Sequence, residues 1–423
     1  MVSHTRRDNS LSFPRAEGKQ AVRGFVVVAL LLVPSVASVL AGEPNGEVSV
    51  QDGGSQVALA TFECTRGHKV ETRLISLDSG AVKYTFRYCG CVDPSHGDER
   101  PAAEGNFGMP EPTSANWYWG GFLNILINGK DATRYRLADL RVTETGRRGA
   151  FQVIWAHPDA DVGLRLLMLP GANHVMAHLV WKPRPTATPT PTSQPQATIK
   201  SVVVRLTCYP SFFTTSRHRH GDRHCQTPRI DKHEPEILEL VPEKDTYLYF
   251  YDTVFDVAKG EGDGPCAALV APEALRCGRV HLGDYSVVSE LTLRPEVGQA
   301  RLVFWDFTGH KNAEAAAYLK AHAAEDLARL AQTDFRPEAV RRIQADRLQT
   351  EAVGLLTAAA DDGKPYRARM GEFLTRVAVL KASADKGDWK AEAELTTVLA
   401  GSADLFWKLK ALATLNENDN GKK

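Results

Sequence analysis

From Val48 to Phe307 the chain repeats one pattern: short apolar, β-branched and aromatic runs with no helical stretch between them. These runs are Gln56–Glu63, Ala81–Tyr88, Val162–Leu169, His174–Trp181, Ile199–Leu206, Thr246–Phe255, Tyr285–Leu293 and Ala300–Phe307. Turn formers such as Asp78-Ser79-Gly80 and Pro170-Gly171-Ala172-Asn173 separate many of them. Segments of this length and composition read as strands, and strands without crossover helices pair antiparallel. The expected fold class is mainly β, a large antiparallel β-sandwich over residues 46–309. A C-terminal α-helical hairpin or bundle over 311–415 and a polar tail over 416–423 follow it.

Pro183 to Pro195 is a stiff Pro/Thr tract within a loop or linker at 183–198, with polyproline character. It either joins two smaller β domains or loops between neighbouring strands of one sandwich. His174–Trp181 and Ile199–Leu206 on its two sides match in length and pattern, which favours a hairpin within a single sandwich.

After Thr308-Gly309 the pattern changes to one rich in Ala, Leu, Glu, Lys and Arg. Asn312 is placed to cap a helix over Ala313–Gln332, and Pro337 to open another from Glu338 to about Ala360. Two more helical stretches follow, Pro365–Ala384 and Trp389–Leu415, the latter with a break at Gly401. Leu319, Leu327 and Leu330 fall near one face of the first helix. These helices either pack on the sandwich or contact a protein partner or a second copy.

Phe25 to Ala41 is the only long apolar run, and Arg6, Arg7, Arg15, Lys19 and Arg23 precede it. A basic leader, an apolar stretch and a small-residue exit at Val39-Leu40-Ala41 form a secretory signal over residues 1–41. The alternative is an uncleaved N-terminal anchor, the one route to a membrane in this chain. Export places the protein in the periplasm, outside the cell or on the outer face of the envelope. The 51 basic and 51 acidic residues of the whole chain then become 46 against 49 in the mature part. No basic excess remains to hold a nucleic acid.

In an oxidising compartment some of the seven cysteines should pair. Cys208–Cys225 and Cys266–Cys277 are the sequence-local disulfide candidates, and Cys64 is within reach of Cys89 or Cys91. One cysteine is left over.

No GxSxG elbow, HExxH helix, phosphate-binding loop or dinucleotide fingerprint occurs, so no cofactor is expected and catalysis is left open. Trp117, Tyr118 and Trp119, in the segment Asn116–Phe122, are the candidate ligand-binding residues. Flat rings suit the C–H faces of sugars, and strand alternation would put Trp117 and Trp119 on one face. The other reading is that these rings fill the core. Ser216 to Cys225 concentrates His218, His220, His224, Asp222 and Cys225, yet Arg217, Arg219 and Arg223 would repel a cation. It reads as an exposed loop, and no metal site is expected. Asn416 to Gly421 only mimics the start of a calcium loop, because the closing carboxylate is missing. Asp252, Asp256, Glu290 and Asp306 are acid–base candidates if they line a cleft, and ordinary strand residues otherwise.

The β-half resembles the antiparallel supersandwich of galactose-mutarotase-like domains and of β-domains attached to polysaccharide lyases and glycoside hydrolases. Asn106-Phe107-Gly108, Trp117 to Phe122, and the pair His174–Trp181 and Ile199–Pro210 carry the resemblance. It implies carbohydrate as the ligand. Aldose mutarotases use a histidine acid and a glutamate base, and neither matches a position here, so no catalytic residue is carried over. Three readings follow: an exported sandwich that binds carbohydrate or another envelope ligand, a carbohydrate-active enzyme, and an interaction protein working through its helices.

Overall fold

The computed structural model describes residues 46–59, 64, 67–184, 198–213, 219–359, 361–386 and 389–420. The leader at 1–41 and Thr186 to Pro195 lie outside them. Among the described residues, no helix is long and apolar enough to cross a membrane.

The β-half consists of three antiparallel sheets. The first has four strands in the order β1 (Ser49–Leu59), β2 (Lys69–Asp78), β3 (Lys83–Cys91) and β4 (Phe107–Glu111). The second holds β5 (Leu123–Ile127), β6 (Lys130–Asp131), β11 (Val202–Cys208), β14 (Ile237–Leu240), β17 (Leu275–Leu282) and β18 (Val287–Leu293). Its order is β14-β17-β18-β11-β5-β6. The third and largest contains β7 (Leu137–Glu144), β8 (Gly149–Ala156), β9 (Ala160–Met168), β10 (His174–Pro183) and β12 (Arg223–Gln226). It also contains β13 (Asp231–His233), β15 (Tyr247–Asp252), β16 (Cys266–Val270) and β19 (Gln299–Asp306). Its order is β13-β12-β15-β16-β19-β10-β9-β8-β7.

The expected hairpin between the strands that bracket the Pro/Thr tract does not form. β10 pairs with β9 and β19, whereas β11 pairs with β5 and β18 in another sheet. The tract therefore connects sheets, and equal strand length was no guide to partnership.

One apolar core joins all three sheets, with Phe86, Phe107, Trp117, Phe122, Phe250 and Phe304 in it. The nine-stranded sheet is buried on its other face too. Val303 and Trp305 point away from Leu302 and Phe304, into a second core with Leu319, Leu330 and Phe335. That is why β19 reads as a nearly continuous apolar run: both faces of the strand are covered.

The helices are α1 (Asn312–Gln332), α2 (Glu338–Ala358), α3 (Lys364–Ala384), α4 (Trp389–Gly401) and α5 (Ala403–Asn420). Lys311, not Asn312, is the N-cap of α1, where Glu314 Oε2 accepts from the Lys311 amide at 3.3 Å. The Asn312 amide group donates instead to the Asp252 carbonyl at 2.8 Å, which seats the helix on the sheet. α5 runs through Asn420, beyond the expected end at 415. α1 covers the large sheet, while α2 to α5 enclose a core of their own around Ala345, Met370, Leu395 and Leu409. Arg148 anchors the junction. It pairs with Glu144 at 2.5 Å and donates to the carbonyls of Asp334 (2.7 Å) and Arg336 (2.9 Å).

Candidate functional site

Residues 113–121 form turns with one isolated bridge, Trp117 to Cys208, rather than a strand. The expected shared face of Trp117 and Trp119 is therefore absent. Trp117 is 0% exposed, donates its indole N–H to the Trp305 carbonyl at 2.9 Å, and packs edge-on to Phe122, Phe250 and Phe304. It is a core residue, because the bridge to β11 turns its ring between the sheets. Tyr118 and Trp119 are half-buried and reach the surface.

These two rings begin an aromatic row. Trp119 lies 6.0 Å from Tyr118, Tyr118 lies 5.1 Å from Tyr209, and Tyr209 lies 5.2 Å from Tyr285. Tyr285 is 50% exposed. Opposite charges flank the start of the row. The Arg87 guanidinium sits 5.0 Å from the centre of the Trp119 ring, a cation–π arrangement, and the Tyr118 hydroxyl donates to the Glu104 carboxylate. Burial and that carboxylate hold the Tyr118 phenol well above its usual range. Arg87 is buried on β3, and its Nη1 has no hydrogen-bond partner among the described residues.

Glycine makes this geometry accessible. Arg87 pairs across the sheet with Gly108, where a Cβ would lie 1.8 Å from the Trp119 carbonyl oxygen. At Gly120 a Cβ would meet the Glu104 carbonyl at 2.6 Å. Bare backbone at both positions lets residues 104–108 lie directly on 119–121, which brings Arg87 and Glu104 to the two rings.

The acidic candidates do not converge. Asp252 is buried and accepts from the amides of Val254 (2.8 Å) and Phe255 (2.9 Å). Asp256 caps a short turn through the Ala258 amide, and Glu290 pairs with Arg205 at 2.8 Å. Asp306 is enclosed and accepts from Asn116 (2.7 Å), Thr308 (2.7 Å) and Thr113 (3.2 Å). Burial pushes its carboxyl up to about 6.

No disulfide joins the four candidates among the described residues. Cys208, Cys225 and Cys266 are buried, with burial pushing the Cys225 and Cys266 thiols up. Cys277 is exposed on β17, whereas Cys266 is buried in a different sheet. In the histidine-rich segment, Ser216 to His218 lie outside the described residues. His224 faces Asp222 and Asp231, each at 3.3 Å, while Cys225 points into the core. Alternation along β12 thus separates two neighbours in sequence.

From the sequence no metal site is expected, and one group of ligand-type side chains that the fold brings together goes unconsidered there. Cys64, His68, Cys91 and His96 meet beyond the open end of the β2–β3 hairpin, with their ligand atoms all within 4.8 Å of one another. The missed signal was two Cys/His pairs of short spacing on either side of a strand–turn–strand segment.

A cleft of about 400 Å³ lies where α1 ends against the large sheet, lined by Arg165, His178, Arg301, Asp334 and Arg336 among others. Its cations are already engaged. Arg301 donates to the Leu330 carbonyl at 2.9 Å, at the negative end of α1, and Arg336 pairs with Asp334 at 2.8 Å.

No known family profile matches the chain, and no curated protein matches it. Among solved structures, the chain is similar to the GH36 α-galactosidase AgaB from Geobacillus stearothermophilus, at 9% identity and a TM-score of 0.31. That match covers 55% of this chain and 39% of that one. The galactosidase domain of the α-galactosidase-sucrose kinase AgaSK matches at 9% identity and a TM-score of 0.33, covering 55% and 40%. The chain thus spans about two fifths of the length of the enzymes it matches. A likeness of this degree carries no conclusion about activity.

Proposed function

We propose that the protein is an exported β-sandwich that binds a carbohydrate along the row from Trp119 to Tyr285. The observation behind this reading is that row, in which Trp119 and Tyr118 are half-buried and Tyr285 is exposed while Tyr209 between them is buried, with Arg87 and Glu104 flanking its start. Rings cover the apolar faces of a sugar and the Glu104 carboxylate accepts from its hydroxyls, while buried Arg87 holds the Trp119 ring in place. A glycan-array screen of the mature chain beside a Trp119→Ala/Tyr285→Ala variant tests it. Binding by the parent that falls at least tenfold in the variant supports the reading. No binding by the parent, or equal binding by both, refutes it.

A second reading, a partner-binding protein, draws on Trp407 of α5 and Ile343 of α2, which are 69% and 66% exposed. Exposed apolar side chains on helices suit a protein contact. Sedimentation of the mature chain, alone and as a Trp407→Glu variant, tests for self-association.

A further inference from the structure

We propose that Cys64, His68, Cys91 and His96 bind one zinc ion in a closed, four-coordinate site. This goes beyond the carbohydrate reading and does not depend on it.

The β2–β3 hairpin creates the site. Val70 pairs with Cys91, and the Val92 amide donates to the Lys69 carbonyl at 2.9 Å. That register sets His68, just before β2, beside Cys91 at the end of β3. Cys64 comes from the chain leading into β2, and His96 from a short turn, Pro94–His96, just after β3. Cys64 Sγ lies 3.1 Å from His96 Nε2 and 3.9 Å from His68 Nδ1, and Cys91 Sγ lies 3.7 Å from His68 Nδ1. Zinc held at Zn–S of about 2.3 Å and Zn–N of about 2.0 Å in a tetrahedron requires S–N separations of about 3.5 Å. The three distances bracket that value. The imidazole rings stand at 68° to each other, so they approach a common centre from different directions.

The surroundings fit a metal in two further ways. Asp93 Oδ2 is 3.9 Å from His68 Nε2, the nitrogen turned away from the centre. At that separation the carboxylate is not hydrogen-bonded to the ring, but it places a negative charge on the outer side of a ligating imidazole. The same Asp93 caps the turn carrying His96, accepting from the Ser95 amide at 2.9 Å. Two thiolates and two neutral imidazoles also neutralise Zn²⁺, the thiols releasing their protons as the ion binds. Two sulfurs and two nitrogens in a tetrahedron are a zinc donor set, and four protein ligands leave no open position for a substrate. The ion is therefore structural. At this end of the sandwich Val70, Cys89 and Cys91 form a small buried cluster among the described residues, with Cys64 and Ala102 packed on it. A cross-link supplies what so small a core cannot, and it pins the loop that leads to Glu104.

The test uses the full chain, purified without a polyhistidine tag or added reductant. Elemental analysis should find about one zinc per chain. Cobalt added to chelated protein should show the visible absorption and thiolate charge-transfer bands of a tetrahedral site. Cys64→Ser, Cys91→Ser and His96→Gln should each lower the zinc content at least tenfold, and Cys89→Ser should leave it unchanged. Should the cysteine variants fail to fold, the cobalt spectrum of the parent and the His96→Gln variant decide the matter. A parent without zinc and without cobalt bands overturns the proposal. So does a Cys64–Cys91 disulfide seen by mass spectrometry, or zinc retained in the ligand variants.

Discussion

Asn116 Nδ2 donates to Asp306 Oδ1 across 2.7 Å, while its Oδ1 accepts from the Ser211 amide at 2.9 Å. One buried side-chain amide thus ties the aromatic segment to the end of β19 and to the chain leaving β11. Thr113 and Thr308 donate to the same carboxylate. These donors support its charged form, yet burial outweighs them and the carboxyl rises to about 6.

That shift has a signed consequence. Asp306 holds a proton more tightly when folded than when unfolded, so its contribution to stability falls as pH rises from 3.8 to about 6 and is flat above. The span is on the order of 2–3 kcal/mol. His174, which burial pushes down to about 3, acts the other way and costs stability as pH falls below 6.5. Asp306→Asn removes only the first effect. Urea unfolding at about pH 4 and pH 7 should show the variant gaining about 2 kcal/mol relative to the parent at the higher pH. An equal difference at both values contradicts the burial of the charge.

Two neighbouring tryptophans should behave differently. Trp117→Ala empties a wholly buried site and should cost about 3–5 kcal/mol. Trp119 is half-buried, and its loss should cost about 1–2 kcal/mol. Denaturant midpoints of the two variants check the order.

Gly108→Ala places a Cβ 1.8 Å from the Trp119 carbonyl oxygen, a backbone contact that no rotamer change relieves. The expected outcome is a loss of about 3 kcal/mol or more, or an insoluble chain. Thermal unfolding checks it, and a variant as stable as the parent would show that residues 104–108 and 119–121 do not lie together.

The helical region should divide in two. Ending the chain after Gly309 bares Met176, Tyr249, Val303 and Trp305, which α1 covers, and should yield aggregation and strong dye binding. Ending it after Pro337 keeps α1, Phe335 and the carbonyls that hold Arg148. That shorter protein should remain soluble and monomeric by gel filtration.

Of Cys208, Cys225, Cys266 and Cys277, only the exposed Cys277 should react with a thiol reagent in the native state. The other three should react on unfolding. Peptide mapping after labelling distinguishes them.

Strand and helix type were legible in many segments where the pattern is local, although β2, β8 and β16 were not singled out. Ala300–Phe307 reads as a strand from its β-branched and aromatic run, and the Ala/Leu/Glu pattern after Gly309 as helices. β7, β12 and β17 were not legible. β7 and β17 carry charged residues on an open face, as in Leu137-Ala138-Asp139-Leu140-Arg141, and β12 is only four residues long with a buried arginine. Such strands need a neighbouring sheet to define them.

The candidate site was legible as a cluster of rings but not as an arrangement. Asn116 to Phe122 advertises aromatic residues. Which ring is buried depends on a bridge to Cys208, 91 residues away by its number. Likewise Cys64, His68, Cys91 and His96 look like two unrelated pairs until the β2–β3 register closes them on one point.

By itself, then, the sequence determined the β-then-α order, the places of many strands and the aromatic content of the site, because each depends on neighbours a few residues apart. Only the tertiary structure decided that β10 and β11 part into different sheets, that Trp117 is core, and that four ligand-type side chains converge. Those outcomes depend on long-range pairing, whose register and partner no short stretch of chain encodes.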